Sequence, residues 1–222
     1  MRARGRFLFP LARLSLTMPR MRIALLCLLV LSLFGCSSQC PPAASSPTIA
    51  TSGGDMLREP TTAPESITVT IGGTSAGRFA DAQVFSGFGC TGGNQSPALT
   101  WSAGPSGTLS YALVMHDPDA PTGVGFFHWI ALDLPTTTTS LAEGASAASM
   151  PAGTVQAYTD FGASGYGGPC PPPGTPHRYE ITVYALDTAN LGVPAGGTGA
   201  LTRFMLRQHS LAIGRAVATW GH

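Results

Sequence analysis

The chain has 222 residues, of which only 10% are charged, while 28 are glycine and 19 are proline. Abundant Gly and Pro favour turns and short strands and argue against a chain built from long helices. All basic residues are arginine, and removal of residues 1–35 leaves six of them against eleven carboxylates, a formal charge of −5. A domain this acidic lacks the basic surface that general nucleic-acid binding needs, so no nucleic-acid partner is expected.

The first segment in chain order has the features of an export signal. Arginines precede an uninterrupted apolar run, residues 23–34, which ends at Gly35 and Cys36. The run is too short to span a bilayer and is typical of the apolar region of a secretory signal peptide. A buried core helix is the alternative, but the run has no polar face. We therefore assign residues 1–35 to a signal peptide, with three candidate start codons: Met1, Met18 and Met21.

The sequence LFGC at 33–36 resembles the lipobox of bacterial lipoproteins, in which the cysteine is acylated and becomes the new N-terminus. The resemblance implies an exported protein held at the bacterial cell envelope by a lipid anchor on Cys36, since two or three acyl chains bind a membrane stably. Phe34 stands where a small residue is usual, so ordinary signal cleavage and a periplasmic or secreted protein stay open. Residues 36–65, rich in Ser, Pro, Thr and Gly, predict a disordered tether to a domain over residues 66–222.

The domain consists mainly of short apolar runs with the two-residue period of strands. Residues 67–71 alternate Ile and Val with Thr, as in a half-buried strand. Gly/Pro turns separate three further runs: 109–115, 128–134 and 179–186. A helix is predicted near the chain end, with Leu201, Phe204 and Met205 on one face, and a closing strand follows over 211–219. This order predicts a mostly β protein, a largely antiparallel β-sandwich.

Two segments carry the chemistry. Residues 115–134 leave an apolar strand through the turn Asp-Pro-Asp-Ala-Pro and return through Phe-Phe-His-Trp, a hairpin that brings Asp117 and His128 together at the sheet edge. Residues 165–184 join a rigid Gly/Pro loop to a strand that starts at His177. Singly, these motifs have plainer interpretations: a capping turn, a packed histidine, or a polyproline segment offered to a partner.

Together and in this order, the segments resemble the two signature regions of the phosphatidylethanolamine-binding family, in its bacterial Raf-kinase-inhibitor-like branch. The resemblance extends over residues 66–220 and rests on these stretches: VFSGFGC at 84–90, NQSPALTW at 94–101, DPDAP at 117–121, HW at 128–129, DFG at 160–162 and GGPCPPPGTPHRY at 167–179. The resemblance implies a large central antiparallel sheet packed on a smaller one, with a C-terminal helix. It also implies a pocket for phosphate, acetate or phospholipid head groups, with no cofactor and no metal.

Carried over residue by residue, the resemblance implies a ligand-binding pocket formed by Asp117, Pro121, Phe126, His128, Pro171, Pro172, His177 and Tyr179. Imidazoles near neutrality are expected to donate hydrogen bonds to a phosphate oxygen. A carboxylate repels phosphate, so Asp117 is expected to orient a histidine or to share a proton with the ligand. Strand alternation places His177 and Tyr179 on one face and Arg178 on the other, which indicates a structural role for Arg178.

Three cysteines remain in the exported chain besides the acylated Cys36, since Cys27 leaves with the signal. Paired cysteines are expected in an oxidising compartment. Cys90 and Cys170 both lie in Gly-rich loops of the matched domain, and we predict a disulfide between them. Cys40, in the tether, is expected to be free or to pair between molecules.

The leading functional hypothesis is a non-enzymatic binding module for small anionic or phospholipid head-group ligands at the envelope. One alternative is an acid–base or metal-dependent enzyme that uses Asp117, His128 and His177. A Ser-His-Asp hydrolase is disfavoured, because the chain has no GxSxG nucleophile elbow. Another alternative is an inhibitor or partner-binding protein with a vestigial pocket, for which the sequence specifies no protein partner.

Overall fold

The computed structural model describes residues 65–222; the predicted signal peptide, Cys27, Cys36, Cys40 and the tether up to residue 64 lie outside these residues. The described strands are β1 (Glu65–Ser66), β2 (Val69–Ile71), β3 (Thr74–Ser75), β4 (Arg78–Phe79), β5 (Ser86–Gly87), β6 (Cys90–Thr91), β7 (Leu99–Trp101), β8 (Ser110–Asp117), β9 (Phe126–Pro135), β10 (Ser140–Leu141), β11 (Val155–Gln156), β12 (His177–Leu186) and β13 (Ser210–Trp220). The described helices are α1 (Ala145–Ala148) and α2 (Gly199–His209), and neither is long and apolar enough to cross a membrane.

Most of the strands belong to one large mixed sheet. Its order is β11-β9-β8-β12-β13-β4-β3, and β1 also pairs with β13. The long strands β9, β8, β12 and β13 are antiparallel neighbours, whereas β1 and β4 pair with β13 in parallel. A smaller sheet, β10-β7-β2, and the hairpin β5-β6 complete the described strands. The predicted mostly β fold is confirmed, with the difference that the large sheet is mixed, because short N-terminal strands add to β13 in parallel.

Side chains of the central strands divide between two apolar layers, because successive residues of a strand point to opposite faces. In β8, Leu113 lies in the layer that contains Trp101 of β7, whereas Val114 lies in the layer that contains Leu206 of α2. The smaller sheet and the helix therefore cover opposite faces of the large sheet. All eight residues of β8 are buried as a result, including Asp117 at its end.

Helix α2 lies where the sequence predicts a helix, but the face that carries Leu201, Phe204 and Met205 is not the face that the helix buries. Leu201 and Phe204 are 42% and 62% exposed, and Met205 is half-buried. The residues that α2 buries are Gly199, Thr202 and Leu206. A Cβ at Gly199 would lie 2.4 Å from the ring of Phe127, so the helix approaches the sheet through its glycine. This close approach selects the buried side of the helix, and apolar character alone does not reveal it.

Candidate ligand-binding site

Asp117 ends strand β8 and is held by the turn that follows it. Its Oδ1 accepts hydrogen bonds from the backbone N–H of Asp119 at 2.8 Å and of Ala120 at 3.1 Å, as Asp before a turn commonly does. Its Oδ2 accepts a hydrogen bond from Nδ1 of His177, at 2.7 Å, on the adjacent strand β12. The carboxylate is buried and both oxygens have partners. Of the two roles predicted for Asp117, this geometry favours orienting a histidine.

His128 is buried on strand β9, and one hydrogen bond orients its ring. Its Nδ1 lies 2.8 Å from the carbonyl oxygen of Gly167. A carbonyl only accepts, so Nδ1 carries the proton. Burial is the main influence that lowers the pKa of His128 to about 4, which keeps the ring neutral near pH 7. In the neutral ring the other nitrogen, Nε2, is an acceptor, so this geometry does not support the expectation that His128 donates a hydrogen bond to an anion.

Tyr179 contributes a hydroxyl that is buried and has no hydrogen-bond partner among the described residues. Its ring stands edge-on to that of His128, with 5.1 Å between the ring centroids. Burial, and then the charge of Asp117, raises the pKa of Tyr179, so the side chain stays a neutral phenol. A buried polar group without a partner costs about 1–3 kcal/mol. Among the five buried polar atoms without a partner in the described residues, the Tyr179 hydroxyl is the one whose residue lines the cavity described below.

A disulfide joins two loops that form one wall of the site. It links Cys90 of β6 to Cys170, the pair that the sequence predicts, with 6.0 Å between their Cα atoms. The loop before Cys170 passes very close to a neighbouring segment, because a Cβ at Gly168 would lie 2.1 Å from the carbonyl oxygen of Gln83. Only glycine fits there. These contacts hold the two prolines that follow Cys170 against the site.

The ends of β8, β9 and β12 and the loops joined by the disulfide line a cavity of about 140 Å³. All eight predicted binding residues line it: Asp117, Pro121, Phe126, His128, Pro171, Pro172, His177 and Tyr179. The prediction missed five further lining residues, which are Phe88, Ala120, Thr122, Phe161 and Cys170. Phe88 and Phe161 belong to the GFG and DFG sequences of two loops. An aromatic residue beside a turn glycine is the signal that could have found them.

No lysine or arginine of the described residues lines the cavity. Arg178 does not line the cavity, as strand alternation predicts. Its guanidinium donates two hydrogen bonds to the carboxylate of Asp119, from Nε at 2.9 Å and from Nη2 at 2.6 Å. This pairing lowers the pKa of Asp119 to about 2. The cavity therefore presents a carboxylate, two imidazoles and a phenol among aromatic rings, without a fixed positive charge of its own.

The positions of the potential metal ligands bear on the alternative prediction of a metal-dependent enzyme. In the described part of the chain, three potential metal ligands lie within 4.8 Å of one another at one place: Cys90, Cys170 and His222. The two cysteine sulfurs there are bonded to each other. Asp117, His128 and His177 form no such group among residues 65–222. The arrangement gives metal-dependent catalysis at the cavity no support.

Comparison with known proteins agrees with the fold. The family model described as phosphatidylethanolamine-binding protein matches residues 75–221. UPF0098 protein YbcL of Escherichia coli (strain K12) is 47% identical over 135 residues, which are 59% of this chain and 74% of YbcL. LppC of Mycobacterium tuberculosis (strain ATCC 25618 / H37Rv), named as a candidate lipoprotein, is 36% identical over 182 residues, 76% of this chain and 86% of LppC.

A solved structure is similar over the described domain. The crystal structure of E. coli YbcL, presented as a new member of the mammalian PEBP family, superposes with a TM-score of 0.68 at 41% identity. The match covers 71% of this chain and 99% of that chain. Signature segments, fold and family model agree, and the chain belongs to the phosphatidylethanolamine-binding protein family.

Proposed function

We propose that this protein is a non-enzymatic binding protein for small anionic ligands, phosphate-like molecules or phospholipid head groups, at the bacterial cell envelope. The observation that carries the proposal is the Tyr179 hydroxyl, which is buried in the cavity wall without a partner. A phenol that stays neutral is a hydrogen-bond donor suited to an oxyanion. The unpartnered Nε2 of His128 and the pair of Asp117 with His177 adjoin the same space.

The size of the cavity supports a head group rather than a whole lipid. The cavity of about 140 Å³ is partly open, and it has room for a phosphate with one small substituent. Apolar rings line its sides, including Phe88, which is 80% exposed. The substituent of a bound phosphate would extend from the cavity towards solvent alongside these rings.

Binding without turnover is supported by the hydrogen bonds that the potentially reactive side chains make within the protein. The single aliphatic hydroxyl among the described lining residues is that of Thr122, which donates to the carbonyl oxygen of Gly125 at 2.6 Å. The Nδ1 atoms of His128 and His177 are both committed to protein acceptors. An activated serine or cysteine nucleophile is therefore missing from the described lining.

An exported, envelope-held protein is supported by the predicted signal peptide and by the likeness to LppC, a candidate lipoprotein. Cell fractionation tests this part of the proposal, because the wild-type chain should partition with membranes. A Cys36→Ser variant should move to the soluble periplasmic or secreted fraction, since it has no thiol to acylate. Retention of the variant on membranes would contradict a lipid anchor at Cys36.

Calorimetry on the full chain, purified in detergent, tests the binding function. Inorganic phosphate and phosphoethanolamine should bind the wild type and should not bind a His128→Ala variant that still unfolds cooperatively. His209→Ala is the matched control, because this half-buried histidine pairs with Asp187 outside the cavity, and the variant should bind normally. Absence of wild-type binding at millimolar ligand would overturn the proposal. Release of phosphate from phosphoethanolamine, followed by ³¹P NMR, would favour the enzyme instead.

A further inference from the structure

We propose that the chain carries a redox-controlled zinc site: when a dithiol reduces the disulfide between Cys90 and Cys170, the two thiolates and His222 bind one zinc ion. The disulfide is the resting form in an oxidising compartment. After reduction, zinc takes its place as the link between the two loops. The site is separate from the ligand cavity, although Cys170 also belongs to the wall of that cavity. The inference therefore does not depend on which ligand the cavity binds.

The position of His222 is the first step. Its Nε2 lies 3.8 Å from Sγ of Cys90, and the three potential ligand atoms all lie within 4.8 Å of one another. Zinc binds thiolate sulfur at about 2.3 Å and imidazole nitrogen at about 2.0–2.1 Å in tetrahedral geometry, so a bound thiolate and imidazole are about 3.5 Å apart. The imidazole thus already lies close to the position of a zinc ligand.

Neighbouring segments hold His222 in this place. Strand β13 ends at Trp220, in register with the first residue of β12, so His222 lies two residues beyond a fixed strand end. A Cβ at Gly221 would lie 2.7 Å from Cα of Pro176, and the carbonyl oxygen of Gly221 accepts a hydrogen bond from Arg78. The ring of His222 stands edge-on to that of Trp220, with 5.1 Å between the centroids. The side chain is exposed, so a metal ion can reach it from solvent.

The spacing of the two cysteines suits a pair of thiolates as well as a disulfide. Their Cα atoms are 6.0 Å apart. Two thiolates on one tetrahedral zinc ion lie about 3.8 Å apart, a separation that rotation about the two Cα–Cβ bonds can reach without a shift of the backbone. Cys90 is buried and Cys170 is half-buried, which places the ion at the protein surface with His222 on its outer side. The fourth position of the ion is left for water.

The chemistry balances with a dithiol as the reductant. The dithiol gives up two electrons and two protons and becomes a disulfide, while the bond between Cys90 and Cys170 breaks to leave two thiols. Zinc then displaces one proton from each thiol and binds the unprotonated Nε2 of His222. Thiolate and imidazole ligands favour zinc over magnesium and calcium, which prefer oxygen. The products are therefore a zinc-bridged pair of loops, an oxidised dithiol and two released protons.

Metal titration of the full chain tests the site. The cysteines outside the site are first replaced, so that all thiols come from Cys90 and Cys170: Cys27→Ser, Cys36→Ser and Cys40→Ser. The chain is reduced with dithiothreitol, which is then removed under nitrogen, and alkylation of a sample verifies two free thiols. One zinc ion should then bind per chain, measured by competition with a chromophoric chelator. The oxidised chain should bind no zinc with comparable affinity.

A histidine variant separates a built site from chelation by two thiols alone. His222→Ala should weaken zinc binding to the reduced chain by at least about tenfold. His209→Ala, which removes a half-buried histidine outside the site, should leave zinc affinity unchanged. In urea unfolding, zinc should stabilise the reduced chain and leave the oxidised chain unaffected.

Two results would overturn the inference: absence of zinc binding after reduction, or equal zinc affinity of the reduced chains with and without the His222 imidazole. Calorimetry with phosphate uses the oxidised chain and involves no zinc. Either result therefore leaves the proposed binding function standing, and failure of phosphate to bind leaves the zinc site standing.

Discussion

His177 donates a hydrogen bond from Nδ1 to Oδ2 of Asp117 at 2.7 Å, although 60 positions separate the two residues in the chain. Both side chains are largely buried, and they come from the adjacent strands β12 and β8. The other oxygen of the carboxylate accepts two backbone N–H groups of the turn. Asp117 is thus held on both sides and positions the imidazole that lines the cavity.

Asp117→Asn should change the tautomer of the His177 imidazole. The amide oxygen can still accept from the turn, while the amide N–H₂ replaces the acceptor of His177 and can only donate. His177 should therefore lose its proton from Nδ1 and carry it on Nε2, which ¹⁵N NMR of the imidazole detects. The lost charge-assisted bond should lower the free energy of unfolding by about 1.5–3 kcal/mol. Asp119→Asn is the control, and Nδ1 should stay protonated there; a protonated Nδ1 in Asp117→Asn would contradict the prediction.

His128 should make the stability of the protein fall as the pH falls. Its pKa is about 4 in the folded state and about 6.5, the ordinary histidine value, in the unfolded state, so the unfolded chain takes up the proton first. The free energy of unfolding should therefore be unaffected by His128 above pH 6.5 and should drop by about 3 kcal/mol as pH falls from 6.5 to 4.

Urea unfolding across this pH range measures the effect. His128→Gln should flatten the dependence, leaving a smaller slope of the same sign because burial also lowers the pKa of His116. Tyr179→Phe retains His128 and should retain the steep slope. Identical slopes in wild type and His128→Gln would show that this buried imidazole does not govern the acid sensitivity.

Tyr179→Phe should separate stability from binding. The substitution removes a buried hydroxyl that has no partner in the described structure, so the free energy of unfolding without ligand should stay level or rise by up to about 1 kcal/mol. Phosphate affinity should nevertheless fall about tenfold, because the donor to the oxyanion is gone. Urea unfolding and calorimetry measure the two effects. A clear loss of stability with unchanged phosphate affinity would indicate a purely structural tyrosine.

The disulfide should contribute to stability over a long loop. Cys90 and Cys170 are 80 positions apart, and breaking a bond that closes such a loop typically costs about 2–4 kcal/mol. A Cys90→Ser, Cys170→Ser double variant should therefore unfold at lower urea concentration and bind phosphate more weakly, since the proline wall is less constrained. Added reductant should destabilise the wild type and leave the double variant unchanged. Alkylation of both thiols in the oxidised wild type would contradict the disulfide.

Much of the fold could be predicted because its signals are local. The apolar alternation of β8, β9, β12 and β13 is present in the residue order, and all four strands lie where it predicts them. The buried side of α2 could not be predicted in the same way. It depends on how closely Gly199 approaches Phe127, a contact between segments far apart in the chain.

The order of residue types predicts the family, the mostly β architecture and the eight residues around the cavity, because signature segments and strand periods are local patterns. Which atoms meet in the cavity depends on the folded chain. The Nδ1 of His128 donates to Gly167, and the Tyr179 hydroxyl is left without a partner among the described residues. Such pairings depend on strand register, which shifts between Met115 and His116, and on burial from several directions. The physical reason is that hydrogen-bond direction and desolvation are properties of the packed site, so the polarity demanded of a ligand appears only once the chain is folded.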